Sequence, residues 1–152
     1  MKNKLYIITI LMITALFSSC LKSGLEELPA YDEADIKTFK FEYRWFDSDK
    51  GQLRIQALNT KATVNKDDAT ISCEIVVPAT KDAFTAAIRS EVTLQKLVGF
   101  CNISTAATIS PAGNAPKLGA VADWSAKDYD YVVKAANGDE KQWKIIITNF
   151  TK

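Results

Sequence analysis

Residues 36–46, IKTFKFEYRWF, carry the clearest structural pattern in this chain. Phe39, Phe41, Tyr43 and Trp45 alternate with Lys40, Glu42 and Arg44. Side chains on a strand point to opposite faces in turn, so this period of two predicts a β-strand with one aromatic, half-buried face. A strand of this kind needs a second apolar layer to cover it.

The flanking sequence supplies further strands. Asp47–Gly51 (DSDKG) reads as a turn, and GQLRIQAL continues as a second strand of a hairpin, with Leu53, Ile55 and Ala57 expected on its buried face. Residues 61–65 (KATVN) are expected to extend that strand, before a turn at Lys66-Asp67-Asp68. TISCEIVVP, residues 70–78, turns Ile71, Cys73, Ile75 and Val77 inward and stops at Pro78. Phe84, Ile88 and Val92 then follow a helical spacing, predicting a short helical turn near 82–90 capped by Asp82. Strands are expected again at Leu97–Ile103 and at 107–111 (ATISP), followed by a loop, AGNAPKLG. YDYVVKAA carries Tyr129, Tyr131 and Val133 on one face, and KQWKIIITNF carries Trp143, Ile145 and Ile147. Asn137-Gly138-Asp139-Glu140 joins them, and Asn-Gly readily supplies two positive φ angles. Many short strands with one helical patch predict an all-β sandwich over residues 36–152.

Composition narrows the functions open to such a domain. The chain has 152 residues and no histidine. That removes Ser-His-Asp and Cys-His nucleophilic arrangements, an imidazole base and His-containing zinc sites. Lys and Arg number 19 against 18 Asp and Glu, interspersed along the chain. There is no basic stripe for nucleic acid and no polybasic patch for headgroups.

The amino-terminal segment, MKNKLYIITILMITALFSSC, sets where the domain lives. Lys2 and Lys4 precede an uncharged run from Leu5 to Ser19, and small residues Ser18-Ser19 lead into Cys20. This is the pattern of an export signal, and the cysteine makes it resemble the lipobox of bacterial lipoproteins, with Phe17 and Ser19 as mild departures. The resemblance implies cleavage after residue 19, acylation of Cys20 and anchoring in the outer membrane. An uncleaved anchor and a plain signal are the alternatives, but Leu5–Phe17 is shorter than the roughly 20 apolar residues that a spanning helix needs. Residues 20–35 read as the lipidated cysteine and a flexible tether. Lys22, Glu26 and Glu27 loosely resemble the signal that sends Bacteroidetes lipoproteins to the cell surface, so both the surface and the periplasmic face stay open. Loss of Lys2 and Lys4 leaves 17 basic against 18 acidic side chains.

The run LVGFCNISTAATISPAGNAPKLGAVADWS, followed by YDYVVKAANGDEKQWKIIITNF, resembles Ig-like domains of unknown function in Bacteroidetes outer-membrane lipoproteins. The likeness rests on Ser104–Pro111, Asp123-Trp124-Ser125 and Tyr131–Ile147. It implies an immunoglobulin-like β-sandwich on a lipid-anchored protein of the kind that accompanies glycan-utilisation or adhesion systems. It implies no catalytic residues.

Few residues offer chemistry. Asp47-Ser48-Asp49-Lys50-Gly51 resembles the start of a calcium loop, but its Gly falls at position 5 and Leu58 stands at position 12, so a solvated turn is the better reading. Cys73 and Cys101 are either a disulfide or two small buried apolar side chains. Asp67-Asp68 and the outward-alternating Asp128 and Asp130 read as solvated surface rather than a glycosidase pair. Trp45 and Trp143 lie on apolar strand faces and are expected in the core. Trp124 lies in a loop and is the candidate for stacking on a sugar, whereas its place in the Asp123-Trp124-Ser125 motif of the resembling domains implies that it plugs the sandwich. No metal, cofactor or catalytic residue is expected. Two functions remain: a non-enzymatic envelope module that binds glycan, or a structural or adhesion protein that meets another envelope protein through a sheet edge.

Overall fold

The structure, a computed structural model, describes residues 29–152. The signal segment, Cys20, Lys22, Glu26 and Glu27 lie outside the described residues. Among those described, no helix is long and apolar enough to cross a membrane.

Two sheets face each other, giving the expected all-β sandwich. Strands β1 (Ile36–Asp47), β2 (Gln52–Ala57), β5 (Leu97–Ile103) and β7 (Val121–Ala122) form a four-stranded sheet in the order β2-β1-β5-β7. Strands β3 (Asn59–Asn65), β4 (Thr70–Val76), β6 (Thr108–Ala112), β8 (Asp128–Lys134) and β9 (Glu140–Thr151) form a five-stranded sheet in the order β3-β4-β9-β8-β6. All strand pairs are antiparallel except β4 and β9, which run parallel. The core lies between the layers and takes the faces that alternation predicts. Phe39, Phe41 and Tyr43 come from β1, and Ile71, Cys73 and Ile75 from β4. Tyr129, Tyr131 and Val133 of β8 and Trp143, Ile145 and Ile147 of β9 complete it.

Four local expectations are corrected. Leu53, Ile55 and Ala57 share a face, but it is the outer one: Leu53 is 61% and Ile55 55% exposed. Residues paired across strands share a face, and the register sets Leu53 against Phe46 and Ile55 against Arg44. Residues 61–65 do not extend β2. The chain crosses between sheets at the buried Leu58, whose amide donates to the Phe41 carbonyl (3.0 Å), and β3 then pairs with β4. The helix α1 spans Ala86–Glu91, starting later than expected. Thr85 caps it, its hydroxyl accepting from the Ile88 amide at 3.4 Å, whereas Asp82 has φ +49° in a tight turn closed by Lys81 and Phe84. Phe84 and Val92 are nonetheless buried as their spacing implies. At the β8–β9 turn only Gly138 takes a positive φ, +100°.

Residues 31–35, expected within the tether, make contacts with the sandwich instead. The Ala34 carbonyl accepts from the Trp143 indole N–H (2.9 Å), and the Tyr31 carbonyl from the Asn137 amide (3.1 Å). The Asp35 backbone exchanges hydrogen bonds with Ser104, and its carboxylate pairs with Lys66 (2.8 Å) and Lys141 (3.1 Å). Residues 31–35 therefore belong to the folded domain.

Candidate functional site

The inner face of β1 continues past the core. Phe39, Phe41 and Tyr43 are covered by the opposite sheet, while Trp45, next in the alternation, is only half-buried. Trp45 stacks on Tyr43 (centroids 6.0 Å, planes 18° apart) and leans on Phe84 (5.8 Å) from the segment that leads into α1. Two shallow concavities meet at Trp45 and Ala83. The larger, about 360 Å³, has the β1–β2 turn from Asp47 to Lys50 on one side and Thr85 and Ile88 on the other. The smaller, about 180 Å³, is bounded by Arg54, Ile55 and Gln56 of β2 and by Lys81, Asp82 and Phe84. The result is a partly exposed indole ringed by carboxylates, cations and an amide.

The turn is held by its own side chains. The Asp47 carboxylate accepts from the Lys50 amide (3.2 Å) and from Arg54 Nε (3.1 Å). Burial pushes the Asp47 carboxyl up, but the Lys50 amide, the Arg54 guanidinium and the Asp49 amide together hold it below the usual carboxylate range. Asp47 thus remains an ionised acceptor, unsuited to proton donation near neutral pH. Gly51, at φ +62°, closes the turn.

Trp124 is not the sugar-stacking residue but plugs the sandwich, as its motif implies. It is 0% exposed, so it offers no ring to a ligand. Its indole N–H donates to the Leu97 carbonyl (3.1 Å), and Phe41 and Tyr129 meet it edge-on, each with a 5.0 Å centroid separation. The ring lies over Gly99 of β5, where the absent side chain leaves it room. Loop position misled because the loop dips between the sheets. Trp143 sits in the core as expected, with Lys141 Nζ 4.9 Å from its ring centroid. Trp45, expected in the core from its strand face, is instead half-exposed; its position beside the turn, at the end of the alternation, is the sequence signal for this.

The other candidates stay apart. Cys73 of β4 and Cys101 of β5 lie in opposite sheets and are free thiols, so the disulfide alternative is not realised. Burial pushes the Cys73 thiol up to about 12 and the Cys101 thiol up to about 11. Asp128 and Asp130 face Lys144 (4.0 and 3.7 Å) on the surface. The amides of Asp67 and Asp68 donate to Asn65 Oδ1 in a turn. Among the described residues no group of three or more metal-ligating side chains comes together.

A search of curated proteins finds no match. A crystal structure described as that of "a putative secreted protein" from Bacteroides fragilis NCTC 9343 is similar to this chain, with 31% sequence identity and a TM-score of 0.73. The match covers 82% of this chain and all of that one. The profile of the DUF5018-related family matches residues 36–146, from the first strand into the last, and the chain belongs to that family.

Proposed function

We propose that this chain is a non-enzymatic binding module of the cell envelope, exported and held on the outer membrane through acylated Cys20, and that it takes a glycan at Trp45. The observation that carries the reading is the half-exposed Trp45 ring at the junction of two concavities lined by Asp47, Lys50, Arg54 and Gln56. A sugar offers an apolar C–H face for an aromatic ring and hydroxyls for surrounding donors and acceptors. The secreted relative supports export, and the lipobox-like Ser18-Ser19-Cys20 supports the anchor. No step of chemistry is assigned to the site.

The test is affinity electrophoresis of the full chain through gels containing plant or microbial polysaccharides. Trp45→Ala should abolish retardation by any glycan that slows the parent protein, with its thermal midpoint recorded alongside. Asp49→Ala, an exposed change in the same turn, should weaken retardation while leaving that midpoint in place. Retardation unaffected by both variants would remove Trp45 as the glycan site.

A further inference from the structure

We infer that the free edge of β2 is a self-association surface, pairing antiparallel with β2 of a second copy about a two-fold axis at Ile55. Strand β2 ends the four-stranded sheet, with β1 on one side only. The Leu58 amide bonds the Phe41 carbonyl, which sets the phase of the β1–β2 ladder. Antiparallel pairs alternate between bonded and non-bonded, so Gln52, Arg54 and Gln56 bond to β1 while the backbone groups of Leu53, Ile55 and Ala57 point outward. Among the described residues, no backbone hydrogen bond from beyond the sheet reaches Leu53 or Ile55, and the Ala57 carbonyl accepts only a local bond from the Gln56 side chain (2.9 Å).

This edge lacks the usual protection. Natural edges are blunted by proline, outward charge or brevity. Among the other edges, β6 carries Pro111, β7 has two residues, and β3 exposes Asn59, Lys61, Thr63 and Asn65. The exposed outer face of β2 is instead apolar, and Phe46 (66% exposed) continues it from β1 beside Leu53. The stripe stops at Arg44, which pairs with Glu42 and reaches the Gly119 carbonyl at 3.0 Å.

Self-complementarity selects a second copy as the occupant. An axis at Ile55 sets Ile55 against Ile55, Leu53 against Ala57 and Arg54 against Gln56, each pair on a common face. No like charges meet, and the two Phe46–Leu53–Ile55 stripes merge across the joint. Moving the axis to Arg54 would oppose two guanidinium groups, which disfavours that register. An isologous contact of this kind closes on itself as a dimer and does not propagate. The Trp45 cleft opens beside β2, so a dimer would carry two clefts on one continuous sheet.

The test uses the full chain in detergent, followed by sedimentation equilibrium over a concentration series. The parent protein should show a monomer–dimer equilibrium, and Ile55→Lys should raise its dissociation constant at least tenfold with unchanged circular dichroism. In Ile55→Cys, mild oxidation with copper phenanthroline should give a covalent dimer, because bonded antiparallel pairs hold their Cα atoms at a spacing of about 5.5 Å that a disulfide accepts. Thr63→Cys, on the polar edge, should not cross-link. A monomer at every concentration with no cross-link at residue 55 would overturn the inference. A dimer untouched by Ile55→Lys would overturn it equally, by placing the interface elsewhere.

Discussion

Gly99→Ala should strongly destabilise this domain, although alanine suits a strand better than glycine does. Gly99 has no positive φ, so its backbone accepts a side chain, and the exchange alone would favour alanine by about 0.5–1 kcal/mol. Space decides against it. A Cβ built there meets Trp124 Cζ2 at 2.5 Å and Cη2 at 2.7 Å, and Phe39 Cε1 at 3.2 Å. Carbon atoms in contact sit about 3.5–4.0 Å apart, so the indole must retreat by about 1 Å. It is hemmed in by Phe41 and Tyr129 and tied to the Leu97 carbonyl. Overpacking of this kind costs about 1–3 kcal/mol, and straining the buried indole hydrogen bond adds about 1 kcal/mol or more. The net loss should be roughly 2–3 kcal/mol, a fall of about 8–15 °C in thermal midpoint for a domain of this size. Urea and thermal unfolding followed by circular dichroism measure it. Trp124→Phe removes the two clashing atoms, so the double variant should lose less than the sum of the single losses. An unchanged or raised midpoint in Gly99→Ala would refute the claim that Trp124 is locked over β5.

Two further outcomes follow from the other end of the chain. The Lys66 hydrogen bond, reinforced by Lys141 and opposed by partial burial, holds the Asp35 carboxyl below its usual value. A depressed folded-state pKa gives stability that is present above the unfolded value, near pH 4, and is lost as pH falls through the folded value. Asp35→Asn should therefore cost about 1 kcal/mol at neutral pH and make the decline in stability below about pH 5 shallower, as read from unfolding midpoints across that range. Cys20→Ala should release the protein from the membrane fraction and abolish labelling by radioactive fatty acid. A variant that remains a lipid-labelled membrane species would rule out Cys20 as the acylated residue.

Strand periodicity alone identifies the inward-facing residues along most of the chain. Phe39 to Tyr43, Ile71 to Ile75, Tyr129 to Val133 and Trp143 to Ile147 are buried as their alternation states, because strand geometry is local and repeats every two residues. The lack of histidine likewise limits the available chemistry whatever the fold. Tertiary structure decided what depends on distant partners. Leu53 and Ile55 alternate as cleanly as a buried face, yet the register with β1 turns them to solvent. A loop position leaves Trp124 open to either a ligand or the core, and the missing side chain of Gly99, on another strand, decides for the core by making room for it inside. Trp45 belongs to the same face as Phe41, but that face outruns its cover, so the last ring remains half-open. Residues 31–35 lack an apolar period, yet the Ala34 carbonyl satisfies the indole of Trp143, a buried donor 109 residues away. Alternation assigns a side chain to one of two faces; only the packed sheets decide which face is covered, how far the cover extends and what fills the gaps.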